Sequence, residues 1–160
     1  MKNMKINIGI SEKNLTHIVA TLIVVLADEM TLYVKTRKFH WNVTGESFME
    51  MHKLYEGQYK QLEEIIDAVA ERINQLGSKT IGTLSEFAKH TSVKESPGKY
   101  HNSKDMILEL LKDYEMVIQS LRKNINKCAG IFKDAGSADF LTGVMEQHEK
   151  SAWILRRYLS

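Results

Sequence analysis

Apolar residues recur every three or four positions in four long stretches of this chain, and one long connection divides the stretches two and two. The first runs from about Ser11 to about Asn42, where Leu15, Ile18, Val19, Leu22, Val25 and Leu26 share a helix face. The second runs from about Ser47 to about Leu76, with Met51, Tyr55, Leu62, Ile65, Ile66, Val69 and Ile73 as its stripe. Ser47 and Glu50 have capping-box spacing, and Gly45 and Gly77 stand where these two helices should stop. The third spans about Ser103 to Cys128, carrying Met106, Leu110, Leu111, Tyr114, Val117, Ile118, Leu121 and Ile125. The fourth spans about Ser137 to Tyr158, with Phe140, Leu141, Val144, Met145, Ala152 and Leu155 on its face.

The connection from Gly77 to Asn102 holds three glycines and the only proline. A connection this long carries structure of its own or crosses the fold. Thr83 and Glu86 form a second capping-box pattern and predict a short helix over Leu84 to Lys89. The expectation is an all-α protein, a four-helix bundle of ferritin-like topology with a long crossover carrying a short middle helix. Residues 1–10 read as a short N-terminal tail and residues 11–160 as one domain, a size that buries a substantial core.

Composition removes several function classes. Formal net charge is +2, too small to argue for nucleic acid by itself. Cys128 is the only cysteine, so neither an internal disulfide nor a cysteine-based zinc site can form, and a cytoplasmic protein is the simplest reading. The most apolar run, Ile18 to Ala27, falls far short of the ~20 residues needed to span a bilayer, so no membrane partner is expected. The first residues lack the apolar run of a signal peptide.

The chemistry lies on the second helix. His52 and Glu56 are spaced i, i+4, and so are Asp67 and Glu71, so each pair shares a helix face. His40 lies just before this helix. At about 1.5 Å per residue, His52 and Asp67 are roughly 22 Å apart along the axis, so one helix cannot wrap both pairs around one ion. A second copy, antiparallel across a two-fold axis, brings one chain's histidine end against the other's acidic end. The spacing therefore suggests a metal site shared between subunits. Self-contained di-iron bundles carry Glu-x-x-His on two helices, and none of the fourteen glutamates here begins that motif. An imidazole and carboxylate set suits iron, manganese or zinc, and spacing alone does not choose among them.

The runs His40-Trp41-Asn42-Val43-x-Gly45-x-x-Phe48-x-x-x-His52-x-x-x-Glu56 and Ile66-Asp67-x-x-Ala70-Glu71-Arg72-Ile73-x-x-x-Gly77 resemble the signature of the Dps proteins, the DNA-binding proteins from starved cells, or mini-ferritins. The resemblance extends to Trp153. It implies a hollow homo-dodecamer that oxidises Fe(II), usually with hydrogen peroxide, stores the ferric mineral and protects against oxidative stress. The ferroxidase site it implies is di-iron. His40, His52 and Glu56 would come from one subunit and Asp67 and Glu71 from its mate. The histidines would be neutral ligands and Asp67 and Glu71 anionic ones, Glu71 able to bridge two irons. Glu56, often Asp in relatives, would bind a second, weaker iron or orient His52. Trp41 would donate an electron or trap a radical. Asp139 matches an acidic position of three-fold iron-entry pores, with Asp134 close to a second one.

Plainer readings stand beside these. A histidine near a glutamate on a helix is usually a surface pair, and Asp67–Glu71 alone reads as a solvated face. Trp41 could be a core aromatic, Trp153 a core or interface residue, and Asp139 a first-turn acid favoured by the helix dipole. His17, His90, His101 and His148 have no comparable partners and read as surface or structural. The competing function is a nucleoid packaging protein with incidental iron. Its mark is a Lys/Arg-rich tail, and only Lys2 and Lys5 precede Ser11, so DNA binding is expected to be weak or absent.

Overall fold

The computed structural model describes residues 6–160, so Lys2 and Lys5 of the expected tail lie outside the described residues. Five α-helices follow in order: α1 Glu12–Asn42, α2 Phe48–Gln75, the short α3 Leu84–His90, α4 Ser103–Asn126 and α5 Ala135–Arg157. No strand occurs among the described residues. The long helices form two antiparallel hairpins, α1 with α2 and α4 with α5, and the crossover between them carries α3 across α1. This is the expected all-α four-helix bundle.

Local chemistry explains most helix ends. Ser11 Oγ accepts the Asn14 N–H and starts α1. Thr83 and Glu86 form the reciprocal capping box predicted for α3. Gly77 adopts φ +81°, and the bonds Ser78 N–H to Ile73 O and Gly77 N–H to Asn74 O complete a Schellman stop for α2. The capping box expected at Ser47 and Glu50 is absent. Ser47 makes no side-chain cap bond, and Glu50 accepts the Tyr158 hydroxyl at 2.7 Å, tying the start of α2 to the end of α5. A π-helical turn, Lys127–Ile131, unseen in the periodicity, ends α4. Asp134 then caps α5 by accepting the Ser137 N–H.

The core sits between the hairpins. Leu22, Leu26, Leu32 and Phe39 of α1 meet Met51, Tyr55, Leu62 and Ile73 of α2 and Met106, Leu110 and Tyr114 of α4. Each buried aliphatic or Phe side chain contributes about 1.5–3 kcal/mol relative to exposure. By length and composition α1 is apolar enough to cross a membrane, a longer stretch than the Ile18–Ala27 run suggests, and 56% of that stretch is buried inside the bundle. It also carries buried Asp28, Glu29 and Lys35, which bind the fold together. Asp28 accepts Thr91 Oγ1–H and Ser92 N–H, pinning the crossover, while burial pushes its carboxyl up. Lys35 pairs with Asp113 at 2.5 Å and Glu109 at 3.0 Å and donates to the Lys94 carbonyl. These bonds tie the middle of α1 to the crossover and to α4, while Phe39 and Tyr55 pack the end of α1 against the start of α2.

Candidate metal centre

His40 lies in the last turn of α1 and His52 in the second turn of α2, so the hairpin brings them face to face. Phe39 and Tyr55, packed in the core with ring centroids 6.3 Å apart, fix the register from below. The imidazoles stack at 3.7 Å and 23°. Their backbone bonds are reciprocal: His40 Nδ1 meets the His52 carbonyl at 2.8 Å, and His52 Nδ1 meets the His40 carbonyl at 2.9 Å. A carbonyl oxygen only accepts, so each Nδ1 carries a proton. In the neutral rings each Nε2 then presents a lone pair. A ligating histidine is commonly oriented in this way, with its second nitrogen donating to a carbonyl or carboxylate.

Glu56 lies one turn beyond His52. Its carboxylate is held below the usual range first by the Lys60 ammonium at 2.5 Å, and the two histidines act in the same direction. Asp67 and Glu71 lie farther along α2, both exposed. The fold therefore brings His40, His52 and Glu56 to one end of α2 and leaves the acidic pair about 22 Å away at 1.5 Å per residue. Among the described residues no three His, Cys, Asp or Glu side chains gather into a metal-sized group within one subunit.

A set of aromatic rings that the sequence argument missed extends from His40. Tyr59 stands edge-on to His40 at 5.2 Å, and Tyr33 edge-on to Tyr59 at 6.1 Å. Arg37 lies over the rings of Tyr59, Trp41 and Tyr33, 4.7, 5.2 and 5.5 Å from their centroids. The i, i+4 spacing of Tyr33, Arg37 and Trp41 was the available signal. Trp41 is 63% exposed and Trp153 51% exposed, so neither is a core residue.

The two acids grouped as pore residues separate. Asp139 is exposed on α5. Asp134 is 4% exposed, and one of its oxygens takes the Ser137 N–H as the α5 cap and the Arg72 Nη2–H, while the other has no protein partner. Of the remaining histidines, His148 is buried against Glu29 at 2.7 Å, His101 pairs with Glu109, and His17 stacks on Phe132.

Known proteins share this fold. Residues 19–160 match the ferritin-like domain family model. The chain is 40% identical over 155 residues to the low temperature-induced protein all0458 of Nostoc sp., covering 97% of this chain and 87% of that one. It is 35% identical to the DNA protection during starvation protein of Helicobacter pylori, covering 84% and 92%. The Dps protein of Vibrio cholerae, described as a member of a broad superfamily of ferritin-like diiron-carboxylate proteins, superposes with a TM-score of 0.91 at 25% identity over the whole of both chains. Bundle topology, the family-model match and these relatives converge: the chain belongs to the Dps family of ferritin-like proteins.

Proposed function

We propose that this protein is a ferroxidase and iron store that removes Fe(II) and hydrogen peroxide together. The observation that carries this reading is the reciprocal pair His40–His52, whose protons are spent on carbonyls while both Nε2 atoms remain free. Fe(II) is the substrate. His40 and His52 of one subunit bind it as neutral ligands, and the partner subunit's Asp67 and Glu71 supply the anionic oxygens. Such a mixed set suits first-row metals. Glu56, released from Lys60, holds a second iron or orients His52. Two Fe(II) each give one electron to hydrogen peroxide, which takes up two protons and leaves as two waters, with no hydroxyl radical set free.

A hollow homo-dodecamer gives this chemistry an interior in which ferric mineral collects. The exposed Asp139 lines the entry route. We place the protein in the cytoplasm, where its buried thiol Cys128 remains reduced. Protection of DNA then follows from removal of the reactants. Direct DNA binding is weak, because Lys2 and Lys5 are the only cations before Ser11 and Arg156 is paired with Glu115; phosphate binding grows with the number of free cations. Tight condensation of DNA in a gel shift at ~150 mM salt would overturn that part, since screening is already strong there.

The test is anaerobic Fe(II) loading followed by a peroxide pulse, recording ferric absorbance. Wild type is expected to oxidise rapidly to a soluble ferric product, and His40→Ala/His52→Ala to lose the fast phase. Equal slow rates in the two proteins would contradict the reading.

A further inference from the structure

Tyr59 is the only tyrosine ring in contact with a proposed iron ligand among the described residues, edge-on to His40 at 5.2 Å and 75°. Edge-to-face packing needs only a ring, and a phenylalanine would satisfy it. The hydroxyl adds a proton that can leave, and no protein group among the described residues hydrogen-bonds it. Behind Tyr59 lies Tyr33, edge-on at 6.1 Å and 88°. The two tyrosines differ in one respect: Arg37 Nη1 donates a 2.6 Å hydrogen bond to Tyr33 Oη and none to Tyr59. A bond donated by a cation draws electron density from the oxygen, so Tyr33 is the harder of the two to oxidise.

We propose that Tyr59 is a one-electron donor to the His40–His52 site, an inference that rests on the ferroxidase reading above. It acts when a site holds a single Fe(II). Hydrogen peroxide needs two electrons to become two waters. Fe(II) supplies one and becomes Fe(III). Tyr59 supplies the other and releases its phenolic proton, becoming a neutral radical. Beyond the Tyr59 proton, one further proton from solvent completes the two waters. The Arg37 guanidinium, 4.7 Å over the Tyr59 ring, opposes a positive hole there by the same attraction that favours a cation over an intact ring, so electron and proton leave together. A second Fe(II) arriving later gives its electron to the Tyr59 radical, which regains a proton. The two steps sum to two Fe(II) oxidised per peroxide. Tyr59 thus lets the irons arrive one at a time without releasing a hydroxyl radical.

The test uses the assembled protein loaded with one Fe(II) per site, pulsed with peroxide and frozen within milliseconds for electron paramagnetic resonance. Wild type is expected to show an organic radical whose hyperfine pattern narrows with ring-deuterated tyrosine and not with indole-deuterated tryptophan. Adding a second Fe(II) should quench it. Tyr59→Phe should lose the signal, while Tyr33→Phe should keep it. A signal unchanged in Tyr59→Phe, or one that narrows with labelled tryptophan and so belongs to Trp41, would overturn the proposal. The labelled wild type decides the matter even if Tyr59→Phe fails to assemble. Absence of any radical while doubly loaded sites still oxidise iron rapidly defeats the Tyr59 proposal alone. Slow oxidation in doubly loaded wild type defeats the ferroxidase reading itself.

Discussion

Two regions of this molecule join histidine to histidine or carboxylate, and they do opposite things. At the α1–α2 hairpin, His40 and His52 give their Nδ1 protons to backbone carbonyls and keep Nε2 free. In the bundle centre, His148 spends its Nε2 on Glu29 at 2.7 Å, with both side chains within 2% of complete burial. Ligand-type residues do not make a ligand site. An available lone pair and a route to solvent do. The inner pair is closed on itself, tying α1 to α5 beside the Tyr114 ring, and one oxygen, Glu29 Oε2, has no protein partner. In the proposed function the outer pair takes its partner from outside the chain.

The comparison can be broken most forcefully at the inner pair. His148→Leu leaves a buried carboxyl without its partner, which costs about 3–5 kcal/mol, whereas Glu29→Met with His148→Leu should recover most of that loss. Urea unfolding of the two variants measures it, and equal stabilities would show the pair to be energetically idle. The outer pair should behave in the reverse sense. His40→Ala/His52→Ala removes two hydrogen bonds at about 0.5–1.5 kcal/mol each, so the fold survives while fast iron oxidation is lost.

Smaller effects sharpen the same contrast. Glu86 accepts from Gly82 and Thr83 N–H and the Thr83 hydroxyl, and these bonds hold its carboxyl below the ordinary value of 4.5. Its contribution to stability is present above that value and is lost as pH falls through the lower folded value. Glu86→Gln should therefore lower the melting temperature slightly at neutral pH, and the difference should vanish in acid. A difference independent of pH would point to packing instead. Smallest of all, Asp67→Asn should stabilise metal-free α2 by about 0.2–0.5 kcal/mol, because like charges at i, i+4 repel. Helicity and melting of the metal-free protein check the sign.

Sequence periodicity revealed α2, α4 and α5 because each buries a single face against the others, whereas α1 stood out by its apolar length, since it buries consecutive residues from Val25 to Glu29. The Thr83 box and the Gly77 stop were legible because those bonds are local. The Ser47 box failed because Glu50 is claimed by Tyr158, a residue 108 positions away. The capping role of Asp134 was not legible because it depends on the π-helical turn that precedes it, which leaves no mark in a period of 3.6. The spacing of His40, His52, Asp67 and Glu71 pointed to a shared site. It could not show the exchange of carbonyl bonds between the two histidines, which requires the end of α1 to lie against the start of α2. Tyr59 escaped notice for the same reason, since only the hairpin sets it beside His40.

The central claim, that each site takes its imidazoles from one subunit and its carboxylates from another, is tested most directly by mixing two inactive variants. His40→Ala/His52→Ala and Asp67→Asn/Glu71→Gln subunits are unfolded together, reassembled, and assayed for peroxide-driven Fe(II) oxidation. Across a two-fold axis a mixed pair forms one site with every defect and one site with none, so random pairing should restore about a quarter of the wild-type sites. Recovery of that size is the predicted result, with each variant inactive when reassembled alone. A mixture as inactive as its components, in cages shown to contain both subunits, would contradict the shared site.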